Sequence, residues 1–155
     1  MAGLTSRYRV VSSPRQWQVA EVDCESDGGH LAIPDDAAEE AWILDQTAGW
    51  LGITDHTTEG TFLGVTGQVA SYTNFDLGEP NNSNNDEDCV EVRGDLKWND
   101  SGCSVTREYV CECDGVPQPA PPVWCDTRSS MSCGECGTTC TGGTSCNVQV
   151  CTDPS

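Results

Sequence analysis

Positive charge is scarce in this sequence. Seven Lys and Arg stand against 25 Asp and Glu, for a net charge of −18. A phosphate backbone or an anionic membrane surface would be repelled by that field, so no nucleic-acid partner is expected. Histidine is scarcer still, with two in 155 residues, and no Ser-His-Asp or Cys-His pairing stands out. The chain is therefore read as no enzyme. No run of 18 apolar residues occurs, so no membrane span is expected. The segment Met1 to Tyr8 lacks an apolar h-region, and the chain is read as a mature or expressed form without a secretory signal.

Cysteine is abundant by contrast, with 11 in the chain. That density implies an oxidising compartment, so the protein is expected to be secreted or at a cell surface. An odd count leaves at least one cysteine that cannot pair within the chain. The distribution is uneven: Cys24 stands alone up to residue 88, four cysteines follow between 89 and 113, and six occupy Cys125 to Cys151. Between these regions, Gly115 to Pro122 holds four prolines in eight residues, which suits an extended linker. Three units follow: a domain over 1–113, a proline-rich linker over 114–123, and a cysteine-rich disulfide module over 124–155. The last has almost no large apolar side chains and would depend on cross-links.

The first unit reads as α+β. Ser13-Pro14-Arg15-Gln16 has capping-box spacing, with proline at the first helical position. Trp17, Ala20 and Cys24 then recur on one helical face, and Gly28-Gly29 ends it. Asp36 with Glu39 offers a second start, followed by Ala37, Ala41, Leu44 and Ala48, with Gly49 closing the helix. Trp50 to Ile53, Cys89 to Val92 and Tyr109 to Cys111 read as strands. Trp17, Trp42, Trp50 and Trp98 read as core residues. From Asn74 to Asp86 nearly every residue is a turn former, which describes a long irregular loop.

That loop carries the chemistry. Glu79, Asn81, Asn82, Glu87 and Asp88 alternate acids and amides, and Asn99-Asp100 add two more directly after Trp98. Carboxylate and amide oxygens are what a hard cation such as calcium takes, six to eight at a time. Soft ligands are missing there, which argues against zinc. The spacing does not fit an EF-hand. A solvated polar loop would share this composition, but the segment is flanked by Tyr72-Thr73-Asn74-Phe75 and by Cys89, both with the look of ordered chain.

Taken in order, Trp50-Leu51-Gly52-Ile53, Glu79-Pro80-Asn81, Trp98-Asn99-Asp100 and Tyr109-Val110-Cys111-Glu112 resemble the C-type lectin domain, as do Cys24 and Gly28-Gly29-His30-Leu31-Ala32. The resemblance spans about Tyr8 to Glu112. It implies the C-type-lectin-like fold, with two helices, small antiparallel sheets and a long calcium-binding loop. It implies disulfides Cys24–Cys111 and Cys89–Cys103, and a cis bond before Pro80. The principal calcium of the family would fall to Glu79, Asn81, Glu87, Asn99 and Asp100. A second calcium would fall to Asp55, Glu59, Asn82, Glu87 and Asp88. Asn82 stands where an aspartate often completes that site, so one or two calcium ions are implied. Glu-Pro-Asn in this family accompanies mannose-type sugars, whose vicinal hydroxyls reach the metal, so the implied partner is a mannose-type glycan.

Other features have plainer readings. His56 reads as an exposed loop residue and His30 as structural. Cys133-Gly134-Glu135-Cys136 could be a redox or zinc motif, but structural disulfides are the better reading. The tail resembles short Stig1-like cysteine-rich modules, and Cys113 could tie the linker to the tail or to another chain. A structural or assembly protein, using the same fold for protein contacts in a homo-oligomer or larger extracellular array, is the competing function.

Overall fold

The computed structural model describes residues 6–114 and the paired segments Ser145–Cys146 and Cys151–Thr152. The expected linker beyond residue 114 and most of the expected cysteine-rich module, including Trp124 and the Cys133–Cys136 motif, lie outside the described residues.

Trp17, Ala20, Glu21 and Cys24 recur at helical spacing, and they mark the inner face of α1 (Trp17–Ser26). The helix begins later than the sequence pattern predicts. Ser13 to Gln16 belong to β1 (Arg7–Gln16), and the capping residue is Gln16, which makes no side-chain cap. Pairing of Arg15 and Gln16 with Arg107 and Thr106 of β7 (Thr106–Cys113) prevails over the local capping-box signal. At the other end the glycines act as read. Gly28 takes φ 78°, and a Cβ on Gly29 would meet the Glu112 carbonyl oxygen at 2.4 Å.

The second helix, α2 (Ala37–Gln46), is capped by Asp36, whose carboxylate accepts from the N–H groups of Ala38 and Glu39. It stops at Gln46, so Ala48 and Gly49 lie beyond it. Gly49 has a different use: a Cβ there would stand 2.0 Å from the Glu108 carbonyl oxygen.

The remaining strands are β2 (His30–Leu31), β3 (Trp50–Thr54), β4 (Leu63–Gly64), β5 (Cys89–Val92) and β6 (Trp98–Ser101), with β8 (Ser145–Cys146) and β9 (Cys151–Thr152) pairing apart. One sheet runs in the order β1-β7-β3-β5-β6, with β2 on β7 and β4 on β3. Small antiparallel sheets were expected, and most of the pairing is antiparallel; a parallel bridge between Trp50 and Tyr109 makes the main sheet mixed.

Burial follows the sheet. Leu51, Ile53, Val90, Val92 and Trp98 pack together on one side, and Ala20, Cys24, Leu31, Trp50 and Tyr109 form a second cluster under α1. The disulfide Cys24–Cys111 ties α1 to β7, and Cys89–Cys103 ties β5 to the turn after β6. Cys113 is disulfide-bonded as well. Closing the long span between Cys24 and Cys111 stabilises the fold by on the order of 2–4 kcal/mol.

Glu21 is the unusual member of this core. Its Oε2 accepts from the Leu31 N–H at 2.8 Å, while its buried Oε1 has no hydrogen-bond partner. Burial pushes the carboxyl up to about 7, against the Leu31 hydrogen bond that favours the charged form. The folded protein then holds a proton that the unfolded chain releases near 4.5. Stability from this group is full at lower pH and is lost as pH rises toward 7. Glu21→Gln keeps an acceptor for Leu31 and has no charge to bury. It should exceed the native protein in stability at pH 7.5 by on the order of 2 kcal/mol, with the gap closing at pH 4. Thermal unfolding at both pH values checks this, and equal melting at pH 7.5 would refute it.

Candidate functional site

The long loop between β4 and β5 is held to the sheet at one anchor before it reaches its acidic stretch. Phe75 bridges Trp98 in parallel, with Trp98 N–H donating to the Asn74 carbonyl and Asp76 N–H to the Trp98 carbonyl, each at 3.0 Å. The rings of Tyr72 and Phe75 stand edge-on to Trp98, at 5.8 and 5.5 Å. Beneath them, the carboxylate of Glu40 on α2 accepts from Trp98 Nε1, Tyr72 Oη and Asn74 Nδ2. Glu40 is only 5% exposed, so these donors replace its water.

Beyond the anchor the chain turns sharply. Gly78 has φ 93°, the Glu79–Pro80 bond is cis, and Asn82, Asn84 and Asn85 all take left-handed conformations. Asparagine tolerates that region better than other side chains, which gives the Asn-rich run a backbone reason to exist.

Asp100 organises the loop from β6. Its two carboxylate oxygens accept from the N–H groups of Asn81 (3.0 Å) and Asn82 (2.6 Å). Asn81 Nδ2 donates to Glu79 Oε2 at 2.6 Å. Glu87 Oε2 accepts from Ser83 N–H at 2.7 Å, and Asn82 Oδ1 accepts from Glu87 N–H at 3.2 Å. Partial burial, followed by the neighbouring Asp100 carboxylate, pushes the Glu79 carboxyl up, and Arg93 opposes this from 3.5 Å. Thus Glu79, Asn81 and Asp100 meet directly, and Glu87 joins them through the intervening backbone. Asn99 lies beside Asp100 on β6 and gives its amide hydrogen to Glu91.

A second acidic group lies next to this one. Asp55 is 2% exposed; its Oδ2 accepts from Gly60 N–H, and its Oδ1 is buried with no hydrogen-bond partner. Glu59 is pushed up by loss of water on one side and then by the like charges of Asp55, Asp88 and Asp100. Asn82 and Glu87, assigned to this group as well, sit in the loop that Asp100 holds. His56 is exposed and contacts Asp88 Oδ2 at 3.1 Å. His30 is buried, against the Leu31 carbonyl and Asp114.

The donors fit a hard cation. They are oxygens of carboxylates and amides, like charges are crowded, and one buried carboxylate oxygen is unpartnered. Among the described residues no three acid, histidine or cysteine side chains form a ready-made cage. In this arrangement N–H groups of Asn81, Asn82 and Ser83 occupy the carboxylates instead. Glu40, Glu91, Arg93 and Arg107 escape a reading by motif. The one sequence signal is a charge set within an apolar strand, as Glu91 is in Cys89-Val90-Glu91-Val92.

Residues 13–113 match the family model described as lectin C-type domain. Collectin-11 of Danio rerio is 39% identical over 114 residues, covering 69% of this chain; the chain spans 42% of that relative's length. The human scavenger receptor C-type lectin carbohydrate-recognition domain superposes with TM-score 0.67 at 25% identity, over 72% of this chain and 93% of that one. The cow carbohydrate-recognition domain of CD23, solved in the presence of GlcNAc2Man3 oligosaccharide, gives TM-score 0.67 at 28% identity, over 70% and 87%.

Replacing Glu40 by Ala leaves the indole N–H of Trp98 and the Tyr72 hydroxyl without this acceptor, and the Asn74 amide with the Leu96 carbonyl. The substitution should cost on the order of 3 kcal/mol and speed amide exchange around Tyr72 to Asp76. Urea unfolding with hydrogen exchange measures both. A change below about 1 kcal/mol with unchanged exchange would show that the rings alone hold the loop.

Proposed function

Because the chain belongs to the C-type lectin domain family, a family of carbohydrate-recognition domains and not of enzymes, we propose that it binds a mannose-type glycan through calcium. Glu79, Asn81, Glu87, Asn99 and Asp100 would hold the principal ion. Bound there, calcium supplies open coordination positions for two adjacent sugar hydroxyls. The residues supply the rest. Each hydroxyl has a proton to donate and a lone pair to fill, so it needs an acid and an amide N–H together. Glu79 and Asn81 already form such a pair at 2.6 Å, which is the observation that carries this reading. Glu87 with Asn99 would serve the second hydroxyl. Asp100, gripping both ends of the Asn81–Asn82 turn, keeps the first pair in place.

Asp55, Glu59, Asn82, Glu87 and Asp88 would hold a second calcium, supported by the unpartnered Asp55 Oδ1. With few apolar side chains near the loop, one monosaccharide should bind at about the millimolar level. Useful avidity would then come from several copies, in a homo-oligomer or an extracellular array. The disulfides fit a secreted or cell-surface setting. Among the described residues no helix is long and apolar enough to cross a membrane.

Retention on immobilised mannose in millimolar calcium, with release by a chelator and no retention on galactose, is the expected behaviour. Asn81→Ala should abolish retention and leave thermal unfolding nearly unchanged. Undiminished retention of that variant would sink the proposal.

A further inference from the structure

Asn99 presents two chemically opposite atoms on one flat group. Turning the amide over exchanges oxygen for nitrogen at almost no change in shape. A calcium ligand needs the oxygen, and a donor to a sugar hydroxyl needs the nitrogen, so something must decide which way the amide lies. Glu91 sits directly opposite Asn99 in the β5–β6 pairing, and its Oε1 accepts from Asn99 Nδ2 at 3.1 Å. An ionised carboxylate accepts only, so it admits the NH2 and repels the oxygen. Both residues are buried, at 6% and 7% exposure, where water does not substitute for this contact.

Arg107 holds the other oxygen of the Glu91 carboxylate. Its Nε donates to Glu91 Oε2, and its guanidinium lies over the Trp50 ring, 5.9 Å from the centroid. Trp50 is itself the β3 register partner of Glu91. Resting on the reading of Asn99 as a calcium- and sugar-binding amide, we propose that Glu91 and Arg107 are a positioning pair that sets the orientation of the Asn99 amide. One hydrogen of the NH2 goes to Glu91 and the other remains for a hydroxyl. The oxygen is turned away from the sheet acid.

Two readouts test the pair, and only one needs the ion. In the calcium-free full chain, the Asn99 side-chain amide pair in a nitrogen–proton spectrum, identified by its loss in Asn99→Ala, should shift or broaden in Glu91→Gln. Glutamine keeps the size but presents either a donor or an acceptor, so both orientations become open. Calcium affinity by calorimetry should fall by about 10-fold in the same variant. Arg107→Ala, altered at a side chain 38% exposed, should show the same changes more weakly, and Arg107→Lys should return both readouts toward those of the unaltered protein. An Asn99 amide signal unmoved in Glu91→Gln overturns the proposal. If Glu91→Gln fails to fold, an unmoved signal in Arg107→Ala overturns it equally. Absence of calcium binding by the unaltered protein would instead defeat the proposed function, and the spectrum would still decide the amide's orientation.

Discussion

The carboxylate of Glu40 holds the α2 helix, the long loop and the β6 strand to one another, because Trp98, Tyr72 and Asn74 all donate to it. Fixing an irregular segment costs roughly 1–2 kcal/mol per residue in backbone freedom. Regular hydrogen-bonded pairing cannot offset that cost in a loop made of turn formers. Here the offset is concentrated: two aromatic rings against Trp98, one buried acid with several donors, and a single strand-like bridge at Phe75. The residues that follow are thereby delivered to the edge strand that carries Asn99 and Asp100.

Charge is the second constraint. Acids of like sign are crowded at Glu79 with Asp100, and at Asp55 with Glu59 and Asp88. Backbone N–H groups, the Asn81 NH2 and the guanidinium of Arg93 are set against this charge. Anything that binds the folded form alone stabilises it in proportion to its affinity and concentration. A cation taken up here would therefore firm the loop as well as create a site.

Much of this was legible in the sequence, for identifiable reasons. The α2 start shows in Asp36 because a cap is a local interaction, and the α1 end shows in Gly28 because positive φ is a property of one residue. The α1 start does not show, because Ser13 to Gln16 are drawn into β1 by pairing with Thr106 and Arg107, far along the chain. Gly49 looks like a helix stop and is instead a place where two backbones touch. The oxygen-rich loop is visible as composition. Its supports are not, since Glu40, Glu91 and Arg107 acquire meaning only once Trp98, Asn99 and Trp50 are placed beside them.

The Cys24–Cys111 bond has a mechanical meaning too. Arg7 and Cys113 are register partners, so chain enters and leaves the domain at one spot on the β1 edge, while Asn99 and Asp100 occupy the opposite edge strand. Tension applied across those two points travels from Arg7 along α1 to Cys24, crosses the covalent bond to Cys111, and exits two residues later. Residues between Cys24 and Cys111 lie in a closed bypass that carries no load. A pull on a surface-tethered copy can peel β1 from β7, yet it has no direct grip on the loop where a ligand would sit.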